Sequence, residues 1–230
     1  MNSMVVLALE HSTSVSSVAL LRGARLLASE SWEETHVRNQ RVFAVIGNLL
    51  RQAVVPPSQV DLVAVGLGPG AFSGVRIALS AARGFALPGS VPVVGIASSE
   101  ALAWDIWQQT GTAPILVVGD ARRNMLWLQK FVATCAAIRA ESSPQLIPSD
   151  RLPTAITPPG ILVSPDYIKL APVFEVLARK NVEILRERRT PRAETVGLLA
   201  LEKHLSGEAG LPLRPIYLHP PVFVEPRRSG

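Results

Sequence analysis

Two stretches of this chain place residue types where they could handle a charged ligand. Gly66-Leu67-Gly68-Pro69-Gly70-Ala71-Phe72-Ser73-Gly74-Val75-Arg76 combines glycines that admit close backbone approach with a cation at Arg76. A helix beginning near Ser73 would add unpaired N–H groups, so an anion could be held there. A Walker-type phosphate loop ends in Gly-Lys-Ser/Thr, and Ser73-Gly74-Val75-Arg76 does not. A tight strand-to-helix connection capped by Ser73 explains the same residues. The second stretch, Glu10-His11-Ser12-Thr13-Ser14, offers a carboxylate and hydroxyls that could hold a magnesium-bound phosphate through water. Serine and threonine also occupy such turns for backbone hydrogen bonding alone.

Metal and nucleophile chemistry find little support. The histidines are His11, His36, His204 and His219, and no two stand three or four residues apart, the separation that pairs ligands on a helix. Cys135 is the only cysteine and lies in an apolar strand context, which reads as a buried structural thiol in a reducing, cytoplasmic setting. No Gly-x-Ser-x-Gly elbow occurs.

The elements that would position these residues follow from hydropathy. Met4 to Leu9, Val15 to Leu21 and Ala24 to Glu30 read as an antiparallel meander. Val42, Val45, Ile46, Leu49 and Leu50 recur at helical spacing until Pro56-Pro57. A buried strand at Leu62 to Gly66 leads through the glycine loop into a helix from Ser73 to Leu87. A strand at Val91 to Gly95 and a helix from Ser98 to Gln108 follow.

Near Gly111 the pattern restarts, with strands at Pro114 to Gly119, Met125 to Val132 and Ala136 to Glu141. Glu10 precedes Val15 by the same interval that separates Asp120 from Met125, which suggests an internal duplication with an acidic turn on each side of a cleft. Prolines then obscure the pattern until a helix from Ala193 to Leu205 that stops at Gly207. The expected division is a first lobe at 1–110, a smaller and less regular second lobe at 111–224, and a frayed tail at 225–230.

The 230 residues are 48% hydrophobic and 18% charged, as for one compact domain or two lobes sharing a core. No apolar run approaches the roughly 20 residues of a membrane span, and Glu10 and His11 interrupt the first one before a signal-peptide core could form. The net charge of +5 gathers at Arg179, Lys180, Arg186, Arg188, Arg189 and Arg192. That segment reads as a solvated helix face balanced by Glu183 and Glu187, with an RNA-binding patch as the alternative.

The helix after the glycine loop carries small residues at Gly74, Ala78, Ala81, Ala82, Gly84 and Ala86. With Phe43 beside the stripe of the preceding helix, this suggests a second packing face for a partner, or deep burial within the chain.

Leu7 to Thr13, Val65 to Ile77, Val93 to Leu102, Gly119 to Arg123 and Arg214 to Leu218 resemble the TsaB (YeaZ-type) family. The block Val65 to Ile77 is the most specific, and Glu10 and Ser73 stand where the family carries Asp and Thr. The resemblance implies an α/β fold of the duplicated actin-like ATPase type (ASKHA, ribonuclease H-like). It implies a non-catalytic subunit that pairs with TsaD, and through the complex with TsaE, in making N6-threonylcarbamoyladenosine on tRNA. TsaD would dock on Val42, Phe43, Ile46, Leu50, Ile77, Ala78, Ala81 and Phe85, a surface that could also support a homodimer. Any nucleotide or anion would meet Glu10, Ser12, Thr13, Gly68, Gly70, Ser73, Gly74, Arg76 and Asp120. No metal or independently bound cofactor is implied, and ATP or ADP would belong to the interface with TsaD. A small ATPase or phosphotransferase of the same fold, a metallopeptidase and a direct tRNA binder are the rival readings.

Overall fold

The structure is a computed structural model that describes residues 4–34, 41–134, 137–177 and 182–219. His36, Cys135, Arg179, Lys180 and the tail at 225–230 lie outside the described residues. Strand β1 (Val5–Glu10) is buried at every position. Val5, Leu7 and Leu9 enter one apolar cluster and Val6 and Ala8 another, on the opposite face. This two-sided cover explains why the strand reads as a continuous apolar run instead of an alternating one.

β1 pairs antiparallel with β2 (Val15–Arg22), which pairs antiparallel with β3 (Arg25–Glu33). β4 (Leu62–Gly66) and β5 (Val93–Ile96) extend the other side in parallel, giving the order β3-β2-β1-β4-β5. The second sheet holds β6 (Ile115–Arg122), β7 (Met125–Ala133), β8 (Ile138–Ala140), β9 (Gln145–Pro148), β10 (Ile161–Ser164) and β11 (Glu183–Arg188). Its order is β11-β10-β6-β7-β8, with β9 also on β7. Read from the β8 end, three antiparallel strands are again followed by two parallel ones. The duplication suggested by Glu10 and Asp120 is therefore a duplication of topology. The second sheet is the less regular, with several strands only three or four residues long.

The helices repeat in the same way. α1 (Arg41–Gln52), α2 (Phe72–Ala86) and α3 (Ser98–Thr110) correspond in order to α4 (Leu152–Ala155), α5 (Tyr167–Glu175) and α6 (Ala193–Ser206). α1 and α2 bury Val42, Ile46, Leu50, Ala78 and Ala81 against one face of the first sheet. The last helix of each repeat crosses over. α6 sets Val196, Leu199 and Ala200 on Val6, Ala8 and Ala19 of the first sheet, while α3 sets Leu102, Ala103 and Ile106 on Ile115, Val117 and Phe131 of the second. The lobes are thus joined by exchanged helices. The segment after α6 ties them again: the Leu211 N–H donates to Gly95 O at 3.0 Å, the Ile216 N–H to Leu67 O at 2.9 Å, and His219 Nε2 lies 2.6 Å from Ala121 O.

Through β8 the expected elements fall within three residues of those observed. The basic segment is a correction. Glu183–Arg188 is an edge strand and not a helix face, because its backbone pairs in parallel with β10 while Ile184 and Leu185 are half-buried. Arg188 pairs with Glu33 and reaches Ser14 across the lobes, and Arg192 pairs with the buried Asp105 at 2.7 Å. α5 carries no strong helix signal in the sequence, since Pro172 sits inside it. Among the described residues no helix is long and apolar enough to cross a membrane.

Candidate functional site

The acidic turn and the glycine loop meet, as their spacing in the two first parallel-paired strands requires. β1 ends at Glu10 beside the end of β4, and α3 begins alongside at Ser98. Glu10 is fully buried. One of its oxygens accepts the Ser12 N–H at 2.6 Å and the other accepts the Ser98 hydroxyl at 2.7 Å. The Gly68 N–H donates to that same Ser98 hydroxyl at 3.0 Å, so Glu10 anchors both the turn and the loop. Burial pushes its carboxyl above the usual range, against the lowering effect of the bonds from Ser12 and Ser98.

The loop closes onto the turn through backbone contact. The Ala71 N–H donates to Ser12 O at 2.6 Å. A side-chain carbon at Gly70 would overlap Ser12 O, and one at Gly74 would overlap His11 O. These glycines admit the chain's own first turn where a phosphate cradle would admit ligand. With both Glu10 oxygens engaged by protein groups, the residues present do not fit a magnesium-bound nucleotide. Thr13 closes its own turn with Val15, Ser73 is exposed, and Arg76 faces outward on α2. The helix start carries no side-chain cap bond, so Ser73 is not its N-cap.

His11 is buried edge-on against Trp32, with ring centroids 5.3 Å apart. Burial lowers its pKa to about 4, and the Glu34 carboxylate 3.9 Å away only partly offsets this. His11 is therefore neutral at pH 7. Among the described residues its Nε2 and the buried hydroxyls of Ser12 and Ser16 have no hydrogen-bond partner within bonding geometry. The sequence marks His11 and Ser12 as part of the turn but not Ser16 and Trp32, because only the antiparallel register sets those two side by side.

The second acidic turn is built differently. Asp120 accepts the Arg122 N–H at 2.9 Å and pairs with Lys169, while its own N–H donates to Asp166 at 2.8 Å. Burial pushes the Asp120 carboxyl up, but Lys169 and Arg122 outweigh it and hold the group below its ordinary value. A cavity of about 650 Å³ lies between the lobes beside Leu67, Gln129, Phe131, Arg214, Ile216 and Tyr217. Neither Glu10 nor Asp120 lines it.

The expected docking residues are divided by the fold. Val42, Ile46, Leu50, Ala78 and Ala81 lie in the chain's own core, because the apolar stripe of each helix is what it buries, that of α1 against β2 and β3 and that of α2 against β4 and β1. Phe43 is 58% exposed and Ile77 46%, whereas Phe85 is half-buried. Among the described residues nothing stands within 4 Å of a side-chain carbon built at Gly47 or Gly84. The outer face of α1 and α2 is thus smooth and carries large apolar groups in water.

Comparison with known proteins gives this geometry a family. Residues 33–164 match the family model described as TsaD: tRNA N6-adenosine threonylcarbamoyltransferase. The tRNA threonylcarbamoyladenosine biosynthesis protein TsaB of Haemophilus influenzae is 33% identical over 133 residues, 57% of this chain and 56% of that protein. The chain thus spans little more than half the length of the curated relatives it matches. The structure of YeaZ from Pseudomonas aeruginosa superimposes with a TM-score of 0.77 at 27% identity, covering 94% of this chain and all of that one. An inorganic polyphosphate/ATP-glucomannokinase from an Arthrobacter strain shares the fold alone, with a TM-score of 0.51 at 9% identity over 89% of this chain and all of that one. The architecture is the duplicated actin-like one, and on the match across 33–164 the chain belongs to the family described as TsaD: tRNA N6-adenosine threonylcarbamoyltransferase, among its TsaB and YeaZ relatives.

Proposed function

We propose that this chain is a non-catalytic subunit in threonylcarbamoyladenosine biosynthesis, holding a TsaD-type catalytic subunit through the outer face of α1 and α2. The observation that carries the reading is the exposure of Phe43 and Ile77 on a helical face whose glycines leave open space above them. Close helix packing by a partner would bury both side chains at about 25 cal/mol per Å² of apolar area removed from water. TsaE joins through the complex, and tRNA is engaged indirectly. The engagement of both Glu10 oxygens by Ser12 and Ser98 supports a structural role for the turn. ATP or ADP then belongs to the boundary with TsaD and not to this chain alone.

The test is binding to the TsaD protein of the same organism. Phe43→Glu and Ile77→Glu replace exposed side chains, so folding survives, while a charge buried in a packed interface weakens binding about 30-fold or more. Ala81→Arg would be a poor probe, since Ala81 is 1% exposed and the change would disrupt the core. Normal affinity in both folded variants would remove TsaD from this face.

A further inference from the structure

We propose that the cavity between the lobes is a binding site for a small aromatic carboxylate, with Arg214 holding its charged end. Sites for small organic molecules are concave, mostly apolar and about 300–1,000 Å³ in volume, and this cavity measures about 650 Å³. Leu67 and Ala97 line it from the first lobe and Gln129 and Phe131 from the second, and the segment after α6 completes the wall. That segment is already fixed in place, through the bonds from the Leu211 N–H to Gly95 O and from the Ile216 N–H to Leu67 O. A ligand entering would therefore have little protein to order.

Two polar groups in this apolar wall have bonding capacity left over. The charged side chains that line the cavity are Glu100 and Arg214. Glu100 pairs with Lys203 at 3.3 Å, whereas among the described residues no carboxylate pairs with Arg214. Gln129 is 5% exposed, accepts the Ser99 hydroxyl at 2.6 Å and donates to Ser142 O at 2.9 Å. Its amide nitrogen carries two hydrogens, so one is left for an acceptor. An occupant thus meets one uncompensated cation and one spare donor, and a carboxylate suits both, since a guanidinium can take its two oxygens as a fork. The other walls include Phe131, Tyr217 and the rings of Pro144, Pro212 and Pro215. Such flat faces pack on an aromatic ring, which gives up less freedom on entering than an alkyl chain does. A bare phosphate would leave them uncovered.

The experiment titrates the full chain with 2-naphthoate and follows NMR chemical shifts. It is repeated with neutral 2-naphthalenemethanol, with acetate, and with Arg214→Gln and Ser143→Trp. Both substituted residues are exposed at the cavity, so the fold survives, and circular dichroism verifies this. Wild type should bind 2-naphthoate at about 1 mM or tighter. Loss of the charge-assisted bond, through Arg214→Gln or through the neutral alcohol, should weaken binding about tenfold or more, and the indole of Ser143→Trp should obstruct the site to a similar degree. Wild type that does not bind 2-naphthoate at several times that concentration would overturn the proposal. So would affinity unchanged by Arg214→Gln or by Ser143→Trp, or acetate bound as tightly as 2-naphthoate.

Discussion

Replacing His11 with Gln should flatten the acid limb of the stability curve by an amount that follows from one buried ring. His11 is 3% exposed against Trp32, and burial lowers its pKa from 6.5 to about 4. Below pH 6.5 the unfolded chain takes up a proton that the folded chain refuses until about pH 4. Stability from this group is therefore full above 6.5 and is lost as pH falls toward 4. Between about pH 7.5 and about pH 4.5 the loss amounts to about 2.5 kcal/mol. Glu10 titrates with the opposite sign in part of that window, but it is present in both proteins and cancels from the difference. Urea unfolding at a series of pH values, followed by tryptophan fluorescence, measures it: wild type should lose about 2.5 kcal/mol more than His11→Gln across the window. Parallel curves for the two proteins would refute the burial of a neutral His11.

Two further outcomes test how the turn and loop are joined. Glu10→Gln keeps an acceptor for the Ser12 N–H and removes a charge whose folded pKa is raised, so its stability relative to wild type should climb as pH rises from about 4.5, read by the same unfolding series. Gly74→Ala forces a side-chain carbon onto His11 O and should cost about 1–3 kcal/mol by thermal unfolding. A neutral effect would show that the loop does not rest on the turn.

Much of the first lobe was legible because its elements carry strong local signals. Val5 to Glu10 is an unbroken β-favouring run, Pro56-Pro57 closes α1, and the glycines of 66–74 mark the passage into α2. The second lobe hides its later elements for physical reasons. β11 mixes Glu183, Arg186, Glu187 and Arg188 with only Ile184 and Leu185, as an exposed edge strand does, and period alone does not separate this from a helix surface. The packing of α6 on the first sheet depends on a contact more than a hundred residues distant in sequence, between Ala193 and Ser17. At the candidate site the residues were found but their orientation was not. Whether Glu10 faces ligand or Ser98 is decided by the register of β1 against β4 and the placement of α3. The same limit separates Ile77 from Ala78: both fit a packing stripe, yet one is exposed and the other wholly buried.

The most direct measurement is tRNA modification in a reconstituted mixture of TsaD, TsaE, threonylcarbamoyl donor and this chain. Ile77→Glu should abolish the chain's contribution while Asp120→Asn, on the other lobe, leaves it close to wild type. Undiminished product with Ile77→Glu, or modification of tRNA by this chain with TsaD left out, would contradict the account.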